Sequence, residues 1–164
     1  MFSPKLIVAP VDFSEPSQEA LKTAADIAKG SGAELLLVHA VPVIPKLPSA
    51  TEIFQEGQYE AALHQDAERR LNAMVEDLKK DGVNARAEVG LADEPGMEIL
   101  RIAEENHAEL IVISTHGMTG WHRLVFGSVA EKVVRLAACP VLVLRAQQKA
   151  AHEKSSQAHG PVAA

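Results

Sequence analysis

Two short clusters near the carboxyl end of the chain contain residues suited to binding an anion. The first is Ser114–Gly117 and the second is Gly127-Ser128, and Gly127 stands thirteen positions after Ser114. The apolar run Leu110–Ile113 precedes the first cluster, and the helical pattern Val129–Val134 follows the second. A strand, a glycine-containing loop and a helix start expose unpaired backbone N–H groups at the positive end of a helix dipole. This pattern predicts a phosphate site, and hence a nucleotide.

The composition is typical of one globular domain. The chain has 164 residues, of which 47% are hydrophobic, and no apolar run approaches the roughly 20 residues that span a bilayer. The amino end lacks the long apolar segment of a secretory signal and the single cysteine excludes an internal disulfide, so we expect a cytoplasmic protein. A formal net charge of -6 argues against broad binding of nucleic acid. Neither nucleic acid nor a membrane is an expected partner.

Five apolar runs alternate with amphipathic helical patterns along the chain. Because these runs are continuously apolar, they predict strands buried on both faces of a parallel sheet, which is the α/β class. The predicted strands are Leu6–Val11, Leu35–Ala40, Ala85–Val89, Leu110–Ile113 and Val141–Leu144. The predicted helices are Pro16–Lys29 stopped by Gly30, Tyr59–Lys80 followed by Gly82, a third from Asp93 and Pro95 through Asn106, and a fourth with Ser128 and Glu131 as a capping box.

Two segments do not fit this alternation. Val41–Phe54 contains three prolines, so we predict an irregular connection that is either a lid near a site or a plain surface loop. Gln147–Ala164 is polar and alanine-rich and has no sustained apolar face. We therefore predict one nucleotide-binding domain over residues 1–145 and a disordered polar tail over residues 146–164.

Asp12 follows the first predicted strand directly. Doubly wound sheets bind ligands beyond the carboxyl ends of their strands, so this carboxylate would lie in the binding crevice if the first and fourth strands are neighbours. There it could accept hydrogen bonds from ribose hydroxyls or approach a phosphate-bound Mg²⁺. The alternative is that Asp12 or Ser14 only caps the helix that Pro16 helps to begin.

From Lys5 to Arg145 the chain closely resembles the universal stress protein family. The nucleotide signature of that family is a glycine, two residues, a second glycine, nine residues, and then a glycine followed by serine or threonine. Gly117, the nine residues 118–126 and Gly127-Ser128 match it, whereas Ser114 replaces the first glycine. The agreement extends through Thr115–Gly120, Gly127–Arg135 and Cys139–Leu144.

This resemblance implies a five-stranded sheet in the order 3-2-1-4-5 and a site for ATP, with ADP and AMP as alternatives and Mg²⁺ bound through the phosphates. Neither a catalytic residue nor a metal site formed by the protein is predicted. Asp12, with Pro10 and Val11, matches the segment that contacts adenosine in ATP-binding members, and Val41 matches the residue whose backbone meets adenine. The residues that match the ribose and phosphate loop are Ser114, Gly117, Gly127, Ser128 and Val129.

Ser114 is the departure that bears on this prediction. A serine fits there if the backbone φ is negative, and its hydroxyl could then bond the ligand. A positive φ would strain the backbone and weaken the site.

The implied function is that of a homodimer in stress response that binds ATP as a regulatory ligand. Two alternatives stay open: a nucleotide-independent dimeric interaction module of the same fold, and a slow nucleotide hydrolase. The chain has no P-loop lysine motif, which disfavours fast phosphoryl transfer. The stress signal and any further protein partner are not identified by the sequence.

The fifth strand is the predicted dimer contact. It is too apolar for an unpaired edge in water, so we expect it to pair with its copy in a second chain. Its residues are Val141, Leu142, Val143 and Leu144.

Overall fold

The alternation of strands and helices produces one sheet with helices on both faces. A computed structural model describes residues 2–43, 50–115 and 127–145. The five strands are parallel and lie in the order β3-β2-β1-β4-β5, which confirms the doubly wound α/β fold. In chain order the elements are β1 (Leu6–Pro10), α1 (Glu15–Ser31), β2 (Glu34–Pro42), α2 (Ala50–Lys80), β3 (Ala85–Ala92), α3 (Pro95–Glu105), β4 (Leu110–Ser114), α4 (Ser128–Leu136) and β5 (Val141–Leu144).

Each face of the sheet has its own apolar core, because successive side chains of a strand point to opposite faces. In β1, Ile7 and Ala9 pack in the core that α1 and α2 cover. Leu6 and Val8 pack in the core that α3 and α4 cover. Burial on both faces explains why β1 is apolar at every position. In the part of the chain that the structure describes, no helix is both long and apolar enough to cross a membrane.

Regular structure extends into the proline-rich segment from both sides. β2 continues to Pro42 and α2 begins at Ala50, so the prediction of an irregular Val41–Phe54 is wrong at its two ends. Residues 44–49, on which the choice between lid and loop depends, lie outside the described residues. Proline is tolerated in β2 because the N–H of Val43 donates to Ala92 on β3, at 3.1 Å. By alternation, position 42 faces the other side, where β1 has already ended at Pro10.

Besides the start of α2, which is Ala50 and not Tyr59, three helix ends differ from the predictions. α1 passes through Gly30 and ends at Ser31, and its C-cap is Gly32, whose φ of 72° is the left-handed conformation that favours glycine. α3 has Glu94, not Asp93, at its N-cap. α4 has Gly127 at its N-cap without a side-chain hydrogen bond, so the predicted capping box is not formed. Ser128 is already the first helical residue, which places its hydroxyl one position too late to cap.

Candidate functional site

The sheet separates between β1 and β4, at the point where the strand order reverses. β1 pairs with β2 along its whole length, to Pro10, and β4 pairs with β5 as far as Ser114. Between β1 and β4 the paired residues are Ile7 with Leu110 and Val8 with Ile111. The carboxyl ends of the two strands therefore diverge. This is the crevice in which open α/β sheets bind ligands.

A cavity of about 180 Å³ lies at this end of the sheet. Its polar lining comes from Asp12, Ser17, His39 and Ser114. The remaining lining residues are apolar and come from strands and helices on both sides of the divergence: Pro10, Val11, Val38, Ala40, Pro95, Ile99, Ile113 and Val129. A mostly apolar cavity with a few polar groups is typical of a site for a small organic ligand.

Asp12 closes the turn between β1 and α1. Its Oδ1 accepts hydrogen bonds from the backbone N–H of Ser14, at 3.0 Å, and from the Ser14 hydroxyl. Ser14 is in turn the N-cap of α1, because its Oγ accepts from the N–H of Ser17 at 3.4 Å. The sequence left open whether these residues cap α1 or lie in the binding crevice, and the structure shows both. Ser14 caps α1, whereas Asp12 lines the cavity and accepts the hydrogen bonds that hold Ser14 in place.

His39 is fixed at the cavity wall by a backbone hydrogen bond. Its Nδ1 lies 2.6 Å from the carbonyl oxygen of Val11. A carbonyl oxygen only accepts, so Nδ1 carries the proton in this contact. The His39 ring also lies against Phe13, with 4.6 Å between ring centroids. The guanidinium carbon of Arg70 lies 3.7 Å from the centroid of the Phe13 ring, which brings a positive charge from α2 close to the turn.

Ser114 is accommodated without the strain that its type could have caused. Among the described residues, the non-glycine residues with positive φ are Phe13 and His107. Ser114 instead continues β4 and is 8% exposed. The backbone geometry that would have made serine a handicap here is absent from this position.

The two ends of the predicted phosphate loop meet beside the cavity. The N–H of Gly127 donates to the carbonyl oxygen of Thr115 at 2.8 Å. Thr115 and Gly127 therefore lie together, next in sequence to Ser114 and close to Val129 in the cavity wall, and residues 116–126 lie outside the described residues. A Cβ on Gly127 would lie 3.3 Å from the Thr115 oxygen, so the close approach leaves little room for a side chain.

The structure brings most, but not all, of the predicted site residues together. Gly127 and Ser128 are adjacent to Val129 but are not among the lining residues. Val41 is 2% exposed and also does not line the cavity, whereas Ala40 does. Gly117 lies outside the described residues. The predicted residues at the cavity wall are Pro10, Val11, Asp12, Ser114 and Val129.

Several lining residues were missed by the sequence reasoning. Ser17, His39 and Ala40 come from α1 and β2, and Pro95 and Ile99 come from α3. His39 could have been found, because a polar residue interrupts the apolar run near the carboxyl end of β2. Ile99 has no such signal, because every apolar residue on the buried face of α3 is predicted to be buried and none is marked as lining a cavity.

Cys139 lies in a different part of the fold. It packs, partly buried, against the core that α3 and α4 cover. Burial raises the pKa of its thiol, which disfavours the reactive thiolate. The cysteine is therefore a packing residue in this structure.

Comparison with known proteins gives the wider context of this site. Universal stress protein MJ0531 of Methanocaldococcus jannaschii is 38% identical over 150 residues, which cover 88% of this chain and 84% of that protein. The solved structure of MJ0577 is similar with a TM-score of 0.77 and 26% identity, over 90% of this chain and 100% of that one. A universal stress protein from Archaeoglobus fulgidus in complex with dAMP is similar with a TM-score of 0.57 and 26% identity, over 87% of this chain and 98% of that one.

The match to the family as a whole covers nearly all of the described domain. Residues 4–145 match the universal stress protein family, and this range includes the five strands and four helices that the structure describes. Together with the relative at 38% identity, this match shows that the chain belongs to the universal stress protein family.

Proposed function

We propose that the cavity between the ends of β1 and β4 binds the adenosine part of an adenine nucleotide, with ATP and Mg²⁺ as the expected form and ADP and AMP as alternatives. The observation that carries this proposal is the divergence of β1 and β4 at the switch point, with Asp12 on the wall of the resulting cavity. The dAMP complex of the relative from Archaeoglobus fulgidus supports the choice of nucleotide.

The cavity fits part of a nucleotide better than the whole. Its volume of about 180 Å³ is below the range of roughly 300–1,000 Å³ for complete ligand sites. Its apolar walls suit a purine ring, and the Asp12 carboxylate suits ribose hydroxyls. Ala40 lines the cavity beside Val41, and we expect the backbone of Val41 to meet the adenine.

The phosphates would lie toward α4. The N-cap Gly127 offers no side chain to the first N–H groups of this nine-residue helix, so Ser128 and Val129 present backbone donors at the positive end of its dipole. Ser114 and Gly117 complete this part of the proposed site. Mg²⁺ would be held through the phosphates, because it binds substrate phosphates with few protein ligands.

The proposed role of the nucleotide is regulatory, in a cytoplasmic homodimer that acts in stress response. β5 supplies the dimer contact, because it is an edge strand with β4 on one side. Exposed Leu142 and the nearby exposed apolar residues of α4, Val134 and Leu136, support burial of this region in a second copy.

Thermal unfolding with added ligand tests the proposal. A ligand that binds only the folded state adds about 2.7 kcal/mol at a hundredfold excess over its dissociation constant. We expect the melting temperature to rise with ATP and Mg²⁺, and less with GTP at the same concentration, since the proposal specifies adenine. An unchanged melting temperature with ATP, ADP and AMP at millimolar concentration would count against nucleotide binding.

A further inference from the structure

Phe13 has a backbone conformation that its side chain disfavours. Its φ is 64°, in the left-handed region where bulky residues are rare. Such a conformation persists only when the surroundings impose it, and it is common beside binding sites. Phe13 lies between Asp12 and Ser14, so its backbone conformation determines where Ser14 donates its two hydrogen bonds to the Asp12 carboxylate.

Phe13 packs against the core that α1 and α2 cover, and in the described part of the chain three further contacts hold it in place. Its carbonyl oxygen accepts from Nε2 of Gln18 at 3.2 Å, and its ring lies against His39. The third contact is Arg70, whose guanidinium carbon is 3.7 Å from the ring centroid. The first two contacts come from α1 and β2, which border the cavity. Arg70 comes from α2, none of whose described side chains lines the cavity.

Arg70 is well placed to hold the ring. Its neighbour Leu71 is fully buried in the core between α2 and the sheet, which anchors this turn of the helix. Its own ion pair is weak, because Nη1 lies 4.0 Å from Oδ2 of Asp66 and both side chains are about half exposed. Among the described residues, the guanidinium of Arg70 therefore lies closely against the aromatic ring and only loosely against a carboxylate.

We propose that Arg70 is a positioning residue that holds the Asp12 carboxylate toward the ligand by clamping Phe13. Loss of the clamp lets the turn leave its strained conformation, so the Asp12–Ser14 hydrogen bond opens more often. The consequence for affinity rests on the proposed function, whereas the consequence for the turn does not.

The first experiment measures the turn without ligand. Arg70→Gln removes the positive charge and leaves the helix propensity nearly unchanged. Arg69→Gln is the matched control, because Arg69 is an exposed neighbour that also forms an ion pair with Asp66. A cation–π contact at an exposed site corresponds to about two- to fivefold in an equilibrium. We therefore expect amide exchange at Ser14 to quicken about two- to fivefold in Arg70→Gln only, with rescue in Arg70→Lys. Unchanged exchange in Arg70→Gln, or equal acceleration in Arg69→Gln, would overturn the proposal.

The second experiment measures affinity for ATP and for adenosine. Arg70→Gln should weaken both ligands by the same factor, about two- to fivefold, and should have little effect in the Asp12→Asn background. A loss confined to ATP would mean that Arg70 acts on the phosphates directly, and an equal loss in both backgrounds would mean that it does not act through Asp12. Either result overturns the positioning role. If the wild type binds neither ligand, the proposed function fails, and exchange at Ser14 decides the role of Arg70 by itself.

Discussion

Asp12 accepts hydrogen bonds that stabilise the turn before α1, and it also lines the cavity. A variant that tests the effect of its charge on binding must therefore keep these hydrogen bonds. Asp12→Asn keeps an oxygen that accepts from Ser14 and removes the negative charge. We expect the free energy of unfolding to change by less than about 1 kcal/mol, because one charged acceptor becomes a neutral one. Affinity for ATP should fall about tenfold, since charge-assisted hydrogen bonds are roughly twice as strong as neutral ones.

Asp26→Asn is the matched control, because it makes the same change at an exposed position of α1 away from the cavity. Urea unfolding and calorimetric titration of both variants provide the measurements. Equal affinities in Asp12→Asn and Asp26→Asn would remove Asp12 from the site.

Ser114 provides a second test at the residue scale. Because its φ is not positive, restoring the family glycine relieves no strain. Ser114→Gly should lower the free energy of unfolding by about 0.5–1 kcal/mol, as glycine does within a strand, and should not tighten ATP binding. Ser114→Ala separates loss of the hydroxyl from the backbone effect. Tighter binding by the glycine variant than by both the wild type and Ser114→Ala would show that serine is a handicap.

The polar cavity residues that the sequence predicts are those that directly follow a predicted strand. Asp12 and Ser114 follow apolar runs directly, so the rule that ligands bind beyond the carboxyl ends of strands applies to them without further structure. Ala40 and Val41 are both small apolar residues on β2, and which of them reaches the cavity depends on where β1 ends beside them. That is tertiary information, which local sequence does not contain.

At the scale of elements, the packing of α3 against β3 gives a test of the fold. A Cβ on Gly90 would lie 2.5 Å from Cγ of Glu98, and hydrogen bonds of 2.9 and 2.6 Å from Arg101 hold that carboxylate. These hydrogen bonds also lower the pKa of Glu98 from its ordinary value. Gly90→Ala should therefore lower the free energy of unfolding by about 1–3 kcal/mol, as overpacking does.

Gly30→Ala is the control, because nothing lies within 4 Å of a Cβ built there and the position is helical. This variant should raise the free energy of unfolding by about 0.5–1 kcal/mol. Urea unfolding measures both changes. A Gly90→Ala variant as stable as the wild type would mean that α3 packs less closely on β3 than the structure has it.

Elements were predictable from periodicity, and their ends were not. Apolar residues identified all five strands, because strands that are buried on two faces are mostly apolar. The edge strand β3 instead alternates apolar residues with Arg86 and Glu88. The end of β2 depends on pairing with β3 as far as Ala92, which allows Pro42 inside a strand. The end of α1 depends on which of two nearby glycines adopts the left-handed conformation, and both Gly30 and Gly32 satisfy the sequence pattern.

At the scale of the whole molecule, the register of β5 determines which substitution separates the proposed dimer. Pro140 accepts from Ile111 at 3.0 Å and Leu144 accepts from Thr115 at 2.8 Å, so even-numbered residues of β5 face β4. The N–H of Val143 therefore faces the open edge. Val143→Pro should give a folded monomer, whereas Leu142→Pro should weaken the internal ladder and destabilise the fold.

Sedimentation and circular dichroism of the wild type and both variants check this assignment, which the sequence left undecided. A wild type that is monomeric at micromolar concentration would rule out β5 as a dimer contact. Folded dimers from both variants would do the same.

Calorimetric titration of ATP and Mg²⁺ into the wild-type protein decides whether the divergence of β1 and β4 forms a nucleotide site. We expect saturable heat with one nucleotide bound per chain, because each chain has its own cavity at the switch point. Gly127→Val should reduce this heat, since a side chain there would crowd the Thr115 carbonyl where the phosphate loop closes. Absence of saturable heat from the wild type at millimolar ATP, or unchanged binding by both Gly127→Val and Asp12→Asn, would contradict nucleotide binding at this cavity.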